Sequence, residues 1–192
     1  MKKKEEMKKN LLQEIDGYFM QLVYLKDLIR VEEDLDSKKE KMNCSPNFTL
    51  IVKCALSDSY MLALMKLYDK SEKAKTIPNL IRKCEENIFL FPSEDDALLK
   101  LKEFNTKLSE DEYIKHAIET LRTRRDTFHV HNDKKYFGMK IQNDKTHLKN
   151  YHIWLLRNFT EDVLNYICLQ LSPKIPREMK YDKYGADLEH LL

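Results

Sequence analysis

Glycine and proline are scarce in this sequence. Only three glycines and five prolines punctuate its 192 residues, while leucine, lysine, glutamate and methionine are frequent. Sheets need many turns that use glycine and proline, whereas long helices need neither residue. A chain of this length also buries one hydrophobic core. We therefore predict an all-α bundle of long antiparallel helices, formed as a single domain over residues 1–192.

The first predicted helix carries one apolar stripe. Its members alternate between spacings of four and three residues, and they are Leu11, Ile15, Tyr18, Leu22, Leu25 and Ile29. This spacing is typical of one face of an amphipathic helix, and residues 1–10 before it are expected to fray. Ser45 and Pro46 predict the start of a second helix, from about Asn47 to Tyr68. That helix is apolar on most faces, which predicts a central place in the bundle.

Four further segments are predicted to be helical. They are residues 78–87, a segment that opens at Ser93, a segment from Ser109 to about 128 or 130, and residues 144–171. Ser109 and Glu112 have the spacing of a capping box, which begins a helix. Ser172 and Pro173 predict the end of the last helix. Residues 174–192 are expected to form a short irregular tail that is extended or mobile.

Charge and cysteine content exclude several classes of function. The 34 basic and 32 acidic side chains nearly cancel, so any contact with nucleic acid must be local. Cys44, Cys54, Cys84 and Cys168 lack the close pairs that zinc or redox chemistry needs, which predicts reduced core thiols in a cytoplasmic protein. The basic start, residues 1–9, is followed by an interrupted apolar run, so neither a signal peptide nor a membrane span is expected.

Arg125 is predicted to lie on an apolar helix face. On a wheel of about 100° per residue it shares one stripe with Ile114, Ile118, Leu121 and Phe128. A guanidinium keeps its charge, so it must meet an acidic partner, reach water or line a cleft. Asp58, which apolar residues flank at helical spacing, is the candidate partner for a purely structural ion pair.

Basic side chains cluster around Arg125. They are Arg122, Arg124, His129, His131, Lys134 and Lys135. Only Asp126 and Asp133 balance them locally, so the cluster suits a phosphate. Arginine binds phosphate bidentately, and an imidazole exchanges protons near neutral pH. Such a pair can cleave RNA without a metal, because the ribose 2′-hydroxyl attacks the adjacent phosphorus.

The segment Arg125 to Lys135 resembles the signature of the HEPN superfamily, an Arg followed after four to six residues by a His near a helix end. The flanks of this motif and the upstream run from Asp58 to Asp69 resemble the AbiU type of abortive-infection protein. The resemblance implies a HEPN-like helical bundle that dimerises with the motif at its two-fold interface. It also implies a metal-independent endoribonuclease that acts in phage defence or as the toxin of a toxin-antitoxin pair.

The resemblance also implies roles for single residues. Arg125 would be the catalytic phosphate-binding arginine, His131 the catalytic histidine, and Asp126 a residue that orients Arg125. The side chains expected to contact RNA phosphates are Arg122, Arg124 and Lys134. Neither a cofactor nor a metal is expected. The expected partners are RNA, a second copy of the chain, and an antitoxin or defence-system protein.

The choice of histidine stays open in the sequence. On an ideal helix His129 lies about 40° from Arg125, whereas His131 lies about 120° away. His129 is therefore the better geometric partner and the reserve catalyst. His131 fits if the helix ends or distorts near His129, or if a second subunit completes the site.

Three alternatives to a nuclease are considered. His129 and His131 with Asp133 would hold a metal on an extended backbone. A non-catalytic helical module would bind a protein partner, or a nucleotide or RNA, through the same cationic groove. A purely structural protein would use the stripe from Leu11 to Ile29, with Trp154, to form a helical dimer.

Overall fold

The computed structural model describes residues 2–37, 46–125 and 149–172. Within these ranges the chain forms α-helices and no strand. The helices are α1 (Lys2–Ser37), α2 (Pro46–Tyr68), α3 (Ile77–Glu86), α4 (Glu94–Glu110), α5 (Glu112–Arg124) and α6 (Asn150–Leu171). A short 3₁₀ helix, Ile88–Leu90, lies between α3 and α4. The predicted all-α fold is confirmed.

Helix α6 lies at the centre of the bundle. It packs against α1, α2, α3 and α5, and it buries side chains from His152 to Leu171. The hydroxyl of Tyr68, at the end of α2, donates to the carbonyl of Leu156 at 2.9 Å and lies 2.8 Å from the hydroxyl of Thr160. Because these partners are on α6, the buried phenol ties α2 to the centre of the bundle.

The apolar stripe of α1 is buried within the core of the chain itself. Leu11, Ile15, Tyr18, Leu22 and Leu25 are buried, and Ile29 is partly buried against the same cluster. The stripe is therefore not available for contact with a second copy. Burial of the stripe contradicts its part in the structural alternative of a helical dimer, whereas Trp154, which that alternative also names, is 52% exposed.

Helix α2 is central only in its second half. Tyr60 to Tyr68 is mostly buried, whereas Phe48, Leu50 and Ile51 are 61 to 67% exposed, because neighbouring helices cover only the C-terminal part. The prediction of a central helix is wrong for the first half.

In the part of the chain that the structure describes, α2 alone is long and apolar enough to cross a membrane. Of the 18-residue segment of α2 that meets this criterion, 28% is buried. The core helix of a soluble protein has the same length and composition.

Ser109 does not begin α5, as the capping-box spacing predicted. It lies in the last turn of α4, where its hydroxyl donates to the carbonyl of Asn105 at 3.0 Å. Asp111 caps α5 instead, because its Oδ1 accepts the amides of Tyr113 at 2.9 Å and Ile114 at 3.0 Å. An aspartate at this position satisfies two amides that have no partner within the helix.

The cysteines divide between core and surface. Cys84 and Cys168 are buried free thiols, as predicted, and burial raises the pKa of Cys84 to about 12. Cys54 is a free thiol on the exposed half of α2, so the prediction of a core thiol is wrong there. Cys44 and residues 174–192 lie outside the described residues.

Candidate active site

Arg125 lies at the point where α5 ends. It follows the last helical residue, Arg124, and keeps right-handed helical angles of φ −55° and ψ −56°. Its Nη1 lies 3.2 Å from Oδ2 of Asp69, and the two side chains are 25% and 39% exposed. The ion pair therefore lies at the surface, with the guanidinium in reach of solvent.

Asp69 follows the last residue of α2 directly. Its Oδ1 accepts the backbone amide of Ser71 at 3.1 Å, an Asx turn that fixes the carboxylate. The Ser71 amide and, to a smaller extent, the Arg125 charge hold the pKa of Asp69 below its usual value, because both favour the ionised form. The sequence offered Asp58 as the candidate partner for a purely structural ion pair, whereas the ion pair of Arg125 in the described structure is with Asp69.

Arg124, not Arg125, lies on the buried face of α5. It is 7% exposed, and it shares that face with Ile114, Ala117 and Leu121. Burial lowers the pKa of Arg124, and the nearby charge of Asp58 offsets part of this effect. The Nε of Arg124 has no hydrogen-bond partner within the described ranges. A phosphate-binding role for Arg124 stays a prediction, and it would require access to a buried guanidinium.

Arg122 ties the end of α5 to the end of α2. Its Nη2 donates to the carbonyl of Tyr68 at 3.2 Å. Tyr68 is the last residue of α2, so its carbonyl lacks a partner within the helix and favours a cation. The three arginines thus face Asp58 and Tyr68 of α2 and Asp69, which follows that helix. The hydrogen bond to Tyr68 gives Arg122 a structural role, and its contact with an RNA phosphate stays a prediction.

The remaining predicted site residues lie outside the described residues. They are Asp126, His129, His131 and Lys134. Their roles and the choice between the two histidines stay predictions. The possible metal site with Asp133 falls in the same segment. Among the described residues, no group of three or more His, Cys, Asp or Glu side chains is placed to hold a metal ion.

A comparison with protein families decides where this chain belongs. The family model HEPN_AbiU2, described as AbiU2, matches residues 8–190. The chain belongs to the AbiU2 family of HEPN proteins. The match runs from the first turns of α1 to beyond α6, which confirms the resemblance predicted from the segment around Arg125. No curated protein and no solved structure matches the chain.

In this AbiU2 protein the described half of the site is an arginine and its carboxylate partner. Asp69 was named only as the end of the run that resembles AbiU proteins, and its contact with Arg125 was missed. The two residues are far apart in the sequence, and no spacing rule links them. Their meeting follows from the way the C-terminal ends of α2 and α5 come together, which the contact of Arg122 with Tyr68 also requires.

Proposed function

We propose that this AbiU2 protein is a metal-independent endoribonuclease that acts in phage defence, by abortive infection, or as the toxin of a toxin-antitoxin pair. One observation carries the proposal. In a chain of this HEPN family, Arg125 stands at the end of α5 with its guanidinium at the surface, held by Asp69. An arginine fixed in this way is ready to meet a phosphate, because little side-chain freedom is lost on binding.

The proposed reaction needs only proton transfer and charge stabilisation. The 2′-oxygen of the ribose forms a bond to the adjacent phosphorus, and the bond from phosphorus to the 5′-oxygen breaks. An imidazole, that of His131, accepts the proton of the 2′-hydroxyl, and a second imidazole protonates the leaving 5′-oxygen. Arg125 stabilises the charge that develops on the phosphate. The product carries a 2′,3′-cyclic phosphate.

The proposal includes a homodimer. With the motifs of two copies facing one cleft, two histidines become available for the two proton transfers. Asp126 would orient Arg125, and Lys134 would add a phosphate contact, with His129 as the reserve catalyst. We further propose a cytoplasmic location, where RNA is present, and an antitoxin or defence-system protein as a partner. No membrane partner is proposed.

Incubation of the purified protein with mixed cellular RNA in EDTA tests the function. We expect the wild type to produce ends with 2′,3′-cyclic phosphate, and His131→Ala to produce none. His129→Ala is the matched control, because it removes an imidazole from the same segment. If cleavage persists unchanged in His131→Ala and stops in His129→Ala, the roles of the two histidines are exchanged. If both variants cleave like the wild type, the proposed site is wrong.

A non-catalytic binding module is the second candidate. The observation that favours it is the ion pair itself, because Asp69 already compensates the charge of Arg125 without any ligand. In that case the cationic groove would bind a protein partner, a nucleotide or RNA without cleaving it. Expression of Arg125→Ala in cells separates the candidates: full toxicity of this variant favours binding, and loss of toxicity together with RNA cleavage favours the nuclease.

A further inference from the structure

A cleft of about 280 Å³ lies beside α1, the end of α2 and the turn that follows it. One wall is a face of α1 that carries Gln13, Gly17 and Gln21, whose spacing of four residues places them in one row. Lys66 and Lys75 also line the cleft. Within the described ranges neither lysine forms an ion pair and neither glutamine forms a side-chain hydrogen bond. Four side chains able to bind a polar ligand thus converge on one cleft.

Gly17 is the unusual residue of this wall. It lies in the interior of a helix of 36 residues, where glycine is less favourable than any residue except proline. A Cβ placed at Gly17 would have nothing within 4 Å, so no packing contact requires the glycine. A side chain at this position would instead reduce the open volume of the cleft. Glycine in such a place allows a close approach of a ligand to the backbone.

The cleft is held open by the turn that follows α2. The buried hydroxyl of Tyr18 donates to the carbonyl of Thr76 at 3.2 Å, which fixes the end of the turn against α1. The side-chain amide of Asn79 donates to the carbonyl of Ser71 at 2.9 Å, which fixes its beginning. The turn, residues 69–76, is therefore secured at both ends. The cleft that it borders is preorganised for a ligand.

The charge of the cleft favours an anion. Among the described residues that line the cleft, Glu14 is the only one with a carboxylate, and it is paired with Lys83 at 2.6 Å. Because Lys83 neutralises Glu14, Lys66 and Lys75 give the surface of the cleft a positive charge. The same turn begins at Asp69, the partner of Arg125, and Lys66 lies in the last turn of α2, which ends directly before Asp69. A polyanion at Arg125 would therefore pass close to the cleft.

We propose that this cleft binds a nucleotide of single-stranded RNA that flanks the cleavage point. Lys66 and Lys75 contact its phosphate, Gln13 and Gln21 form hydrogen bonds with its base, and Gly17 lets it lie against α1. This inference rests on the proposed endoribonuclease function and assigns part of its substrate recognition to residues outside the HEPN motif.

RNA binding and cleavage, measured separately, test the cleft. The probe is a labelled 12-nucleotide single-stranded RNA with 2′-O-methyl groups, which binds without being cleaved. We expect Gly17→Leu to weaken binding about 10-fold or more, since its side chain fills the cleft. The double variant Lys66→Gln, Lys75→Gln should weaken binding and reduce the slope of log affinity against log salt by about 0.7, the value for one phosphate contact on a single strand. Gly17→Ala should raise the melting temperature by about 2 to 4 °C.

Matched controls are available on exposed helix surfaces. Asn10→Leu adds an apolar side chain to α1 outside the cleft, and Lys102→Gln with Lys115→Gln removes two exposed charges elsewhere. Equal losses in the controls and in the cleft variants would overturn the inference.

The proposed cleavage and the proposed cleft can fail independently. If the cleft variants bind like the wild type while the wild type still cleaves RNA, the cleft is wrong and the nuclease stands. If the wild type neither binds nor cleaves RNA, the proposed function and the cleft both fail. Should Gly17→Leu not fold, the lysine double variant decides.

Discussion

Arg124 and Arg125 are neighbours in the sequence, yet they lie in two different regions of the molecule. Arg124 is in the interior, 7% exposed and close to Asp58. Arg125 is at the surface, where it meets Asp69 at the start of a turn. One step along a helix rotates a side chain by about 100°, and this step carries the guanidinium from the core to solvent.

The difference separates two uses of the same side chain. An interior guanidinium loses hydration and must be compensated by the protein, so it influences folding more than ligand binding. A surface guanidinium keeps access to solutes and is suited to an anionic ligand. Substitution of Arg124 should therefore lower mainly stability, and substitution of Arg125 should lower mainly activity.

Arg125→Ala should give the largest effect in the molecule. If Arg125 stabilises the charge on the phosphate, its loss should lower the cleavage rate by about 10² to 10³-fold. The free energy of unfolding should change by less than about 1 kcal/mol, since exposed ion pairs contribute little. Single-turnover cleavage and urea denaturation of the same preparation measure both quantities. A variant that is destabilised as strongly as it is inactivated would remove the distinction between the two arginines.

Arg124→Ala should show the opposite pattern. Deletion of this buried side chain leaves a cavity in the face of α5 that packs on α2, so we expect the free energy of unfolding to fall by about 2 to 4 kcal/mol. Arg124→Met is the matched control, because it fills a similar volume without a charge and should cost less than about 1.5 kcal/mol. Urea denaturation compares the three proteins. An Arg124→Met protein as unstable as Arg124→Ala would show that the charge, rather than the volume, matters.

Asp69→Asn should have a smaller effect, confined to Arg125. The amide keeps the shape of the carboxylate but loses its charge, so Arg125 should be oriented less firmly and kcat should fall about 3 to 10-fold. KM should fall as well, since a negative charge near the substrate phosphates is removed. Asp58→Asn is the comparison variant: it faces Arg124, so it should lower stability without changing kcat. Equal effects of both substitutions on kcat would contradict this separation.

The smallest predicted effect is a pH dependence of stability. Because the pKa of Asp69 is lowered in the folded protein, its ionised form contributes stability above the unfolded value of 3.8, and this contribution is lost as the pH falls through the folded pKa. The difference in unfolding free energy between wild type and Asp69→Asn should be about 0.5 kcal/mol at pH 7. This difference should shrink as the pH falls below about 3.8. Urea denaturation across this range measures it, and a difference that grows in acid would contradict the assignment.

The fold was largely predictable from periodicity. The stripe of α1 alternates by three and four residues; five of its six predicted members are buried and Ile29 is partly buried, while Phe19 and Leu35 are buried outside the predicted stripe. The start of α5 was misplaced, because Ser109 and Glu112 match a capping box while Asp111 offers the better geometry at the actual boundary. The half of α2 before Tyr60 was predicted to be buried from its composition, which does not tell how far neighbouring helices extend along it.

The candidate site was predictable only in part. Arg125 was singled out and the family was inferred from a local motif, and the family match confirms the family. Asp69 was not found, since the chain between it and Arg125 forms three helices and returns before the two side chains meet. The row of Gln13, Gly17 and Gln21 was likewise not singled out. These residues line a cleft only because the end of α2 and the following turn lie opposite them, which the sequence does not show.

Most of the helices and the family were readable from the amino-acid order, because both follow from short-range information: the spacing of apolar residues and a motif of a few consecutive positions. The packing of the helices was needed to show which arginine is buried and which carboxylate pairs with the exposed one. Those facts depend on the rotation of α5 against α2 and on where each helix ends. If α5 were rotated or ended one residue later, Arg124 and Arg125 would exchange their interior and surface positions.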